Sequence, residues 1–130
     1  MSEQLIPKKE LDVILENRLL KLKGSCSNDR DKIKFFLEET AREYAMAHPV
    51  ELFTNSRDMT YVVPRRIAVF LIRDQMNIAF TKIGDLFGYK DHTASFHAYR
   101  VVQEEVDVNE SLCITCDKIV KRVKDRIKDL

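Results

Sequence analysis

Residues 80–98, FTKIGDLFGYKDHTASFHA, constrain this chain more than any other stretch, because they prescribe a sharp corner between two helices. Ile83 and Phe87 lie four apart and so share one face of a helix over 80–87. Gly88 offers the left-handed backbone that ends a helix. Asp91 is placed to accept N–H bonds at the start of the next helix, over 92–104. Such a pair is a helix-turn-helix, whose second helix enters the DNA major groove tip first. There His92 and Thr93 can donate or accept at base edges, and Ala94 offers a methyl to thymine. A carboxylate oxygen of Asp91 can accept from cytosine N4. The bland alternative is a packing corner whose Asp91 merely caps a surface helix.

The rest of the chain is helical by the same test. Glycine and proline number three each, and no β-type alternation persists for six residues. Leu11, Leu15, Leu19 and Leu22 form a stripe over 8–23, followed by the GSCSND linker. A second helix runs from about Asp29 to Ala47, with Ile33, Leu37, Ala41 and Tyr44 inward, until His48-Pro49 breaks it. Pro49 can open a short helix, PVELF, and the polar loop TNSRDMT follows. An apolar helix from about Tyr61 to Met76 is expected to be central, with Pro64 in its first turn, where a missing N–H matters least. The last helix, about Asn109 to Leu130, aligns Leu112, Cys116, Ile119, Val123, Ile127 and Leu130 opposite a charged face. The fold class is therefore all-α. It is a compact helical domain over 29–130 containing the helix-turn-helix at about 80–104 and a long C-terminal helix. Residues 1–28 form a helical extension and linker.

At 130 residues the chain is one core's worth of sequence. It has no run of eighteen apolar residues and no signal-peptide core at MSEQLIPKKE, so a cytoplasmic protein with no membrane role is expected, and DNA reading by the helix over 92–104 would make it nucleoid-associated. Three cysteines without framework spacing agree with a reducing compartment. The net charge of +1 is modest for a nucleic-acid binder, but its distribution is uneven. Residues 57–100 carry seven Lys/Arg against four Asp/Glu, a net of +3, whereas 1–56 and 101–130 each carry −1. Ordinary surface variation could produce as much.

Other chemistry is poorly supplied. Cys113 and Cys116 have CxxC spacing, yet zinc wants four ligands and no second pair lies nearby, so no metal is expected. Asp91, His92 and His97 lack an accompanying nucleophile or oxyanion donor, so no catalytic residues and no enzyme activity are expected. No cofactor is implied. The leucine stripe over 8–23 could dock on its own domain, or pair with a second copy or another protein.

IGDLFGYKDHTASFHA, with PRRIAVFLIR upstream, resembles the C-terminal duplex-DNA-binding domain of DnaA, the bacterial replication initiator. The resemblance covers roughly residues 30–130, and the helix at 8–23 has no counterpart in it. It implies that Arg57 inserts into the minor groove, where a cation favours narrow AT-rich sequence. It implies base contacts in the major groove by Asp91, His92 and Thr93, with His97 contacting DNA as well, and phosphate contacts by Arg65, Arg66 and Arg73. Lys82 and Lys90, in the same basic segment, join the phosphate candidates. Ala94 stands where the family usually has a second threonine, Arg66 where it has glutamine, and Val101 where a basic residue is common. The preferred base sequence is therefore expected to differ.

The DnaA family's ATPase module has a glycine-rich phosphate loop, and these residues contain none, so no ATP site is expected in them. The function implied is sequence-specific double-stranded DNA binding at DnaA-box-like sites, in replication initiation or its regulation, with a phage or mobile element as a candidate source. The alternative is a protein-interaction module that has lost base reading, suggested by Ala94, Val101 and the modest charge.

Overall fold

The computed structural model describes residues 7–22 and 27–129. In chain order it has α1 (Lys8–Leu19), α2 (Ser27–Glu43), a 3₁₀ helix (Pro49–Phe53), α3 (Met59–Met76), α4 (Phe80–Phe87), α5 (His92–Val108) and α6 (Glu110–Ile127). No strand occurs among the described residues, and the fold is all-α, as expected.

α3 is the axis of the domain. Its run Ile67–Ile72 is buried without interruption, so the helix is covered on every side. α2, the 3₁₀ helix, α4, α5 and α6 all pack against it. Ile33 and Leu37 of α2, Leu52 of the 3₁₀ helix, Ile83 and Leu86 of α4, and Ile119 and Val123 of α6 complete one core.

Local backbone chemistry sets several boundaries apart from the sequence expectation. α2 stops at Glu43, not Ala47, because Ala45 takes a left-handed φ of 56° and Met46 N–H returns to Ala41 O at 2.8 Å. α3 begins at Met59, two residues early, because the Asp58 carboxylate accepts from Thr60 N–H at 2.9 Å. Pro64 therefore lies inside the helix and not in its first turn, leaving Thr60 C=O without its usual i+4 donor. α5 runs on to Val108, and Asn109 both ends it and caps α6 by accepting from Leu112 N–H at 3.1 Å.

The leucine stripe of α1 is used within the chain. Leu15, Leu19 and Leu22 are 1–2% exposed and belong to the same core as α2 to α6. The expected break after residue 28 is thus not a break in packing, and a partner at residues 8–23 would have to use the outer face of α1. Asp12 on α1 also bonds the buried His48 Nε2 at 2.8 Å. His48 Nδ1 accepts from Val50 N–H at 3.2 Å, fixing the 3₁₀ helix to α1.

An ion-pair cluster joins α2 to α6. Arg126 donates to Glu38 at 2.8 Å and to the buried Glu39 at 3.1 Å, and it lies over the Phe35 ring at 4.1 Å. Arg126→Ala should destabilise the domain by about 2 kcal/mol, since it strands a buried carboxylate. Among the described residues, only Arg42, at 3.7 Å, would remain near Glu39. Denaturant midpoints compared with those of Lys34→Ala, whose carboxylate partner Glu16 is exposed, would show it, and equal shifts would contradict it.

Candidate nucleic-acid interface

The corner between α4 and α5 is built by three small devices. Gly88 adopts φ 76°, where an L side chain is strained, and Tyr89 N–H closes the turn onto Gly84 O at 2.8 Å. Asp91 accepts from Thr93 N–H at 3.0 Å and caps α5. That backbone bond, with the Thr93 side chain, holds the Asp91 carboxyl below the ordinary carboxylate range, so the cap is intact at neutral pH and lost only in acid. Gly84 lets the two helices cross closely: a Cβ there would lie 3.2 Å from Oγ of the fully buried Ser95.

A fourth device comes from α1. The Arg18 guanidinium lies 5.2 Å from the Phe53 ring centroid and donates to Leu86 O at 3.3 Å. It fills the space beside Gly88, where a Cβ would come within 2.7 Å of Arg18 Nη1. A carbonyl at a helix C-terminus attracts a cation, so this contact favours the turn as built. Nothing in the local sequence of α1 signals it.

The tip so formed is bare. Asp91, His92, Thr93, Ala94 and His97 are all exposed, while Ser95, Ala98 and Val102 form the buried side of α5. Asp91 and His92 sit 3.3 Å apart, with side chains 66% and 61% exposed. Ala94 and His97 share one surface concavity with Arg57, Arg65 and Arg66. Residues more than thirty positions apart thereby line one face.

Arg57 rides on a braced loop. Ser56 N–H donates to Thr54 Oγ1 at 2.8 Å, and Asp58 N–H to Ser56 Oγ at 3.1 Å. Arg65, half-buried, donates from α3 to Thr54 O and to Ser56 O. This bracing role was missed in the sequence, since it depends on where the loop returns. Arg73 is also engaged, donating to Ile78 O at 3.1 Å and stacking 4.5 Å from the Phe80 centroid, which closes the α3–α4 corner. Arg66 lines the concavity; Lys90 is exposed beside Asp91 and His92, and Lys82 is half-buried on α4.

Other chemistry stays thin among the described residues. No group of three His, Cys, Asp or Glu side chains is placed to hold a metal ion. Burial pushes the Cys116 thiol up to about 11, as for a core cysteine. No helix is long and apolar enough to cross a membrane.

A family model for the bacterial dnaA protein helix-turn-helix matches residues 37–102. The chromosomal replication initiator protein DnaA of Caldanaerobacter subterraneus subsp. tengcongensis is 32% identical over 120 residues, covering 92% of this chain and 26% of that protein. DnaA of Lachnoclostridium phytofermentans is 28% identical over 118 residues, covering 91% and 26%. DnaA of Treponema denticola is 25% identical over 124 residues, covering 95% and 26%. The chain spans about a quarter of the length of these curated relatives. A solved structure, a crystal structure of a DNA replication initiation factor, superposes with a TM-score of 0.68 at 25% identity, covering 95% of this chain and 39% of that one. Coverage of 95% takes in α1, which corrects the expectation that this helix has no counterpart. The matched region is a helix-turn-helix. On this evidence the chain belongs to the family of bacterial DnaA helix-turn-helix domains.

Proposed function

We propose that this chain binds double-stranded DNA sequence-specifically, with the first turn of α5 in the major groove and Arg57 in the adjacent minor groove. One observation carries the reading. At a helix tip capped by Asp91, the exposed side chains of His92 and Thr93 are followed by Ala94 and His97, which share a concave face with Arg57 on a braced loop. His92, Thr93 and Asp91 would address base edges, Ala94 a thymine methyl, and His97 the flanking edge or backbone. Arg66, Lys82 and Lys90 would meet phosphates, setting register but not sequence. Arg65 and Arg73 serve the fold first, and their N–H groups turned away from those bonds would reach phosphate.

The relatives are named chromosomal replication initiators, so sites like those DnaA initiators bind are the natural targets. The role would be replication initiation or its regulation, in the cytoplasm and on the nucleoid or a mobile element.

Selection of bound oligonucleotides from a random duplex pool tests this directly. A defined AT-containing site is expected, with affinity that falls steeply as salt rises. Failure to enrich any sequence, or binding indifferent to salt, would overturn the reading in favour of a protein-interaction module.

A further inference from the structure

We infer that Phe96 reads thymine, by contact of its ring with the 5-methyl group in the major groove, and so sets part of the sequence that α5 selects. The inference rests on the placement of α5 proposed above. Phe96 is 42% exposed, which is high for a phenyl ring on a helix with a well-packed inner side. It stands four residues after His92 and three after Thr93, which puts it on their face of the helix. Thr93, Phe96, His97 and Arg100 line one shallow groove along that face.

The ring is also held. Phe80 meets it edge-on, with centroids 5.4 Å apart at 89°, and the Arg100 guanidinium lies 5.7 Å from its centroid. Phe80 does not need Phe96 for cover, since Tyr99 packs on it at 5.5 Å and Arg73 at 4.5 Å. What remains is an apolar group presented to solvent between hydrogen-bonding neighbours, with little freedom left to lose on binding. The major groove offers one prominent apolar feature at base level, the thymine methyl.

The test uses the intact chain and the duplex it selects from a random pool. Each thymine is replaced in turn by deoxyuridine, which removes only the methyl group. At one or two positions the replacement is expected to weaken binding about fourfold, the effect of burying one carbon of that size. Phe96→Ala should weaken the thymine duplex by at least as much and should abolish the further loss at those positions. Phe96→Leu, which keeps an apolar contact, should retain methyl sensitivity, whereas Phe96→Gln should lose it. A role confined to packing would lower affinity equally on thymine and deoxyuridine duplexes. Equal methyl sensitivity in the unaltered chain, Phe96→Ala and Phe96→Gln at every thymine overturns the inference while leaving DNA binding standing. Failure to select any duplex overturns the proposed function itself.

Discussion

Gly84→Val is expected to lower the stability of the domain by about 3 kcal/mol, the upper part of the range for overpacking a filled interior. For a domain of this size that means a melting temperature roughly 12 °C lower. The cause is the crossing of α4 and α5, where even a Cβ would sit 3.2 Å from Ser95 Oγ and 3.9 Å from the His92 backbone. Valine adds two further methyl groups in the same gap, and they can fit only if the helices part. The first turn of α5 would then move relative to Arg57, so duplex binding should fall even at temperatures where the variant stays folded. Alanine is the finer probe. Its helix preference over glycine favours it by about 1 kcal/mol and opposes the contact with Ser95. Ser95 Oγ is buried and finds no hydrogen-bond partner among the described residues, so Ser95→Ala alone should stabilise by about 1 kcal/mol. Gly84→Ala should then cost less in the Ser95→Ala background than alone, a coupling that thermal melts of the four proteins would measure. An unchanged melting temperature for Gly84→Val would mean that the two helices do not meet there.

His92→Ala and Thr93→Ala should each reduce discrimination between the selected site and random duplex by about 1–3 kcal/mol, roughly 5- to 150-fold in relative affinity. Binding to random duplex should barely change, because that term comes from phosphate contacts. Stability should hold as well. Both side chains are exposed, and the Asp91 cap uses the Thr93 backbone N–H, which alanine keeps. Competition titrations with specific and random duplexes at one fixed salt concentration separate the two quantities. Equal losses on every sequence would reassign both residues to the backbone-contacting set.

The helix-turn-helix was legible because its signals are local. Gly88 supplies a left-handed residue and Asp91 a cap within three positions of each other, and both act on their own backbone. Long amphipathic stripes likewise placed Leu15, Leu37 and Ile119 in the core. Ends of helices were harder. No composition rule anticipates that Ala45 will take a left-handed conformation, because the tertiary fold and not the side chain demands it. The extra residues of α3 before Tyr61 follow from Asp58, whose capping competes with a loop reading of the same RDMT segment.

At the site, residue types suggested which side chains could touch bases, and the exposed tip is where they lie. Pairings across the fold were hidden. The family resemblance places Arg65 among the phosphate contacts, whereas its guanidinium braces the loop beneath Arg57. Arg18 attracted no notice, since its partners Phe53 and Leu86 lie thirty-five and sixty-eight positions away.

Arg18 bears on how such a unit travels. The helix-turn-helix itself, α4 and α5, runs over Phe80–Val108, yet one of the groups seating its hinge belongs to the first helix of the chain. Grafting the corner and its tip onto a foreign scaffold would leave the Leu86 carbonyl facing whatever the new host supplies. The transferable module is therefore defined by neighbourhood in space, and its smallest faithful copy includes α1.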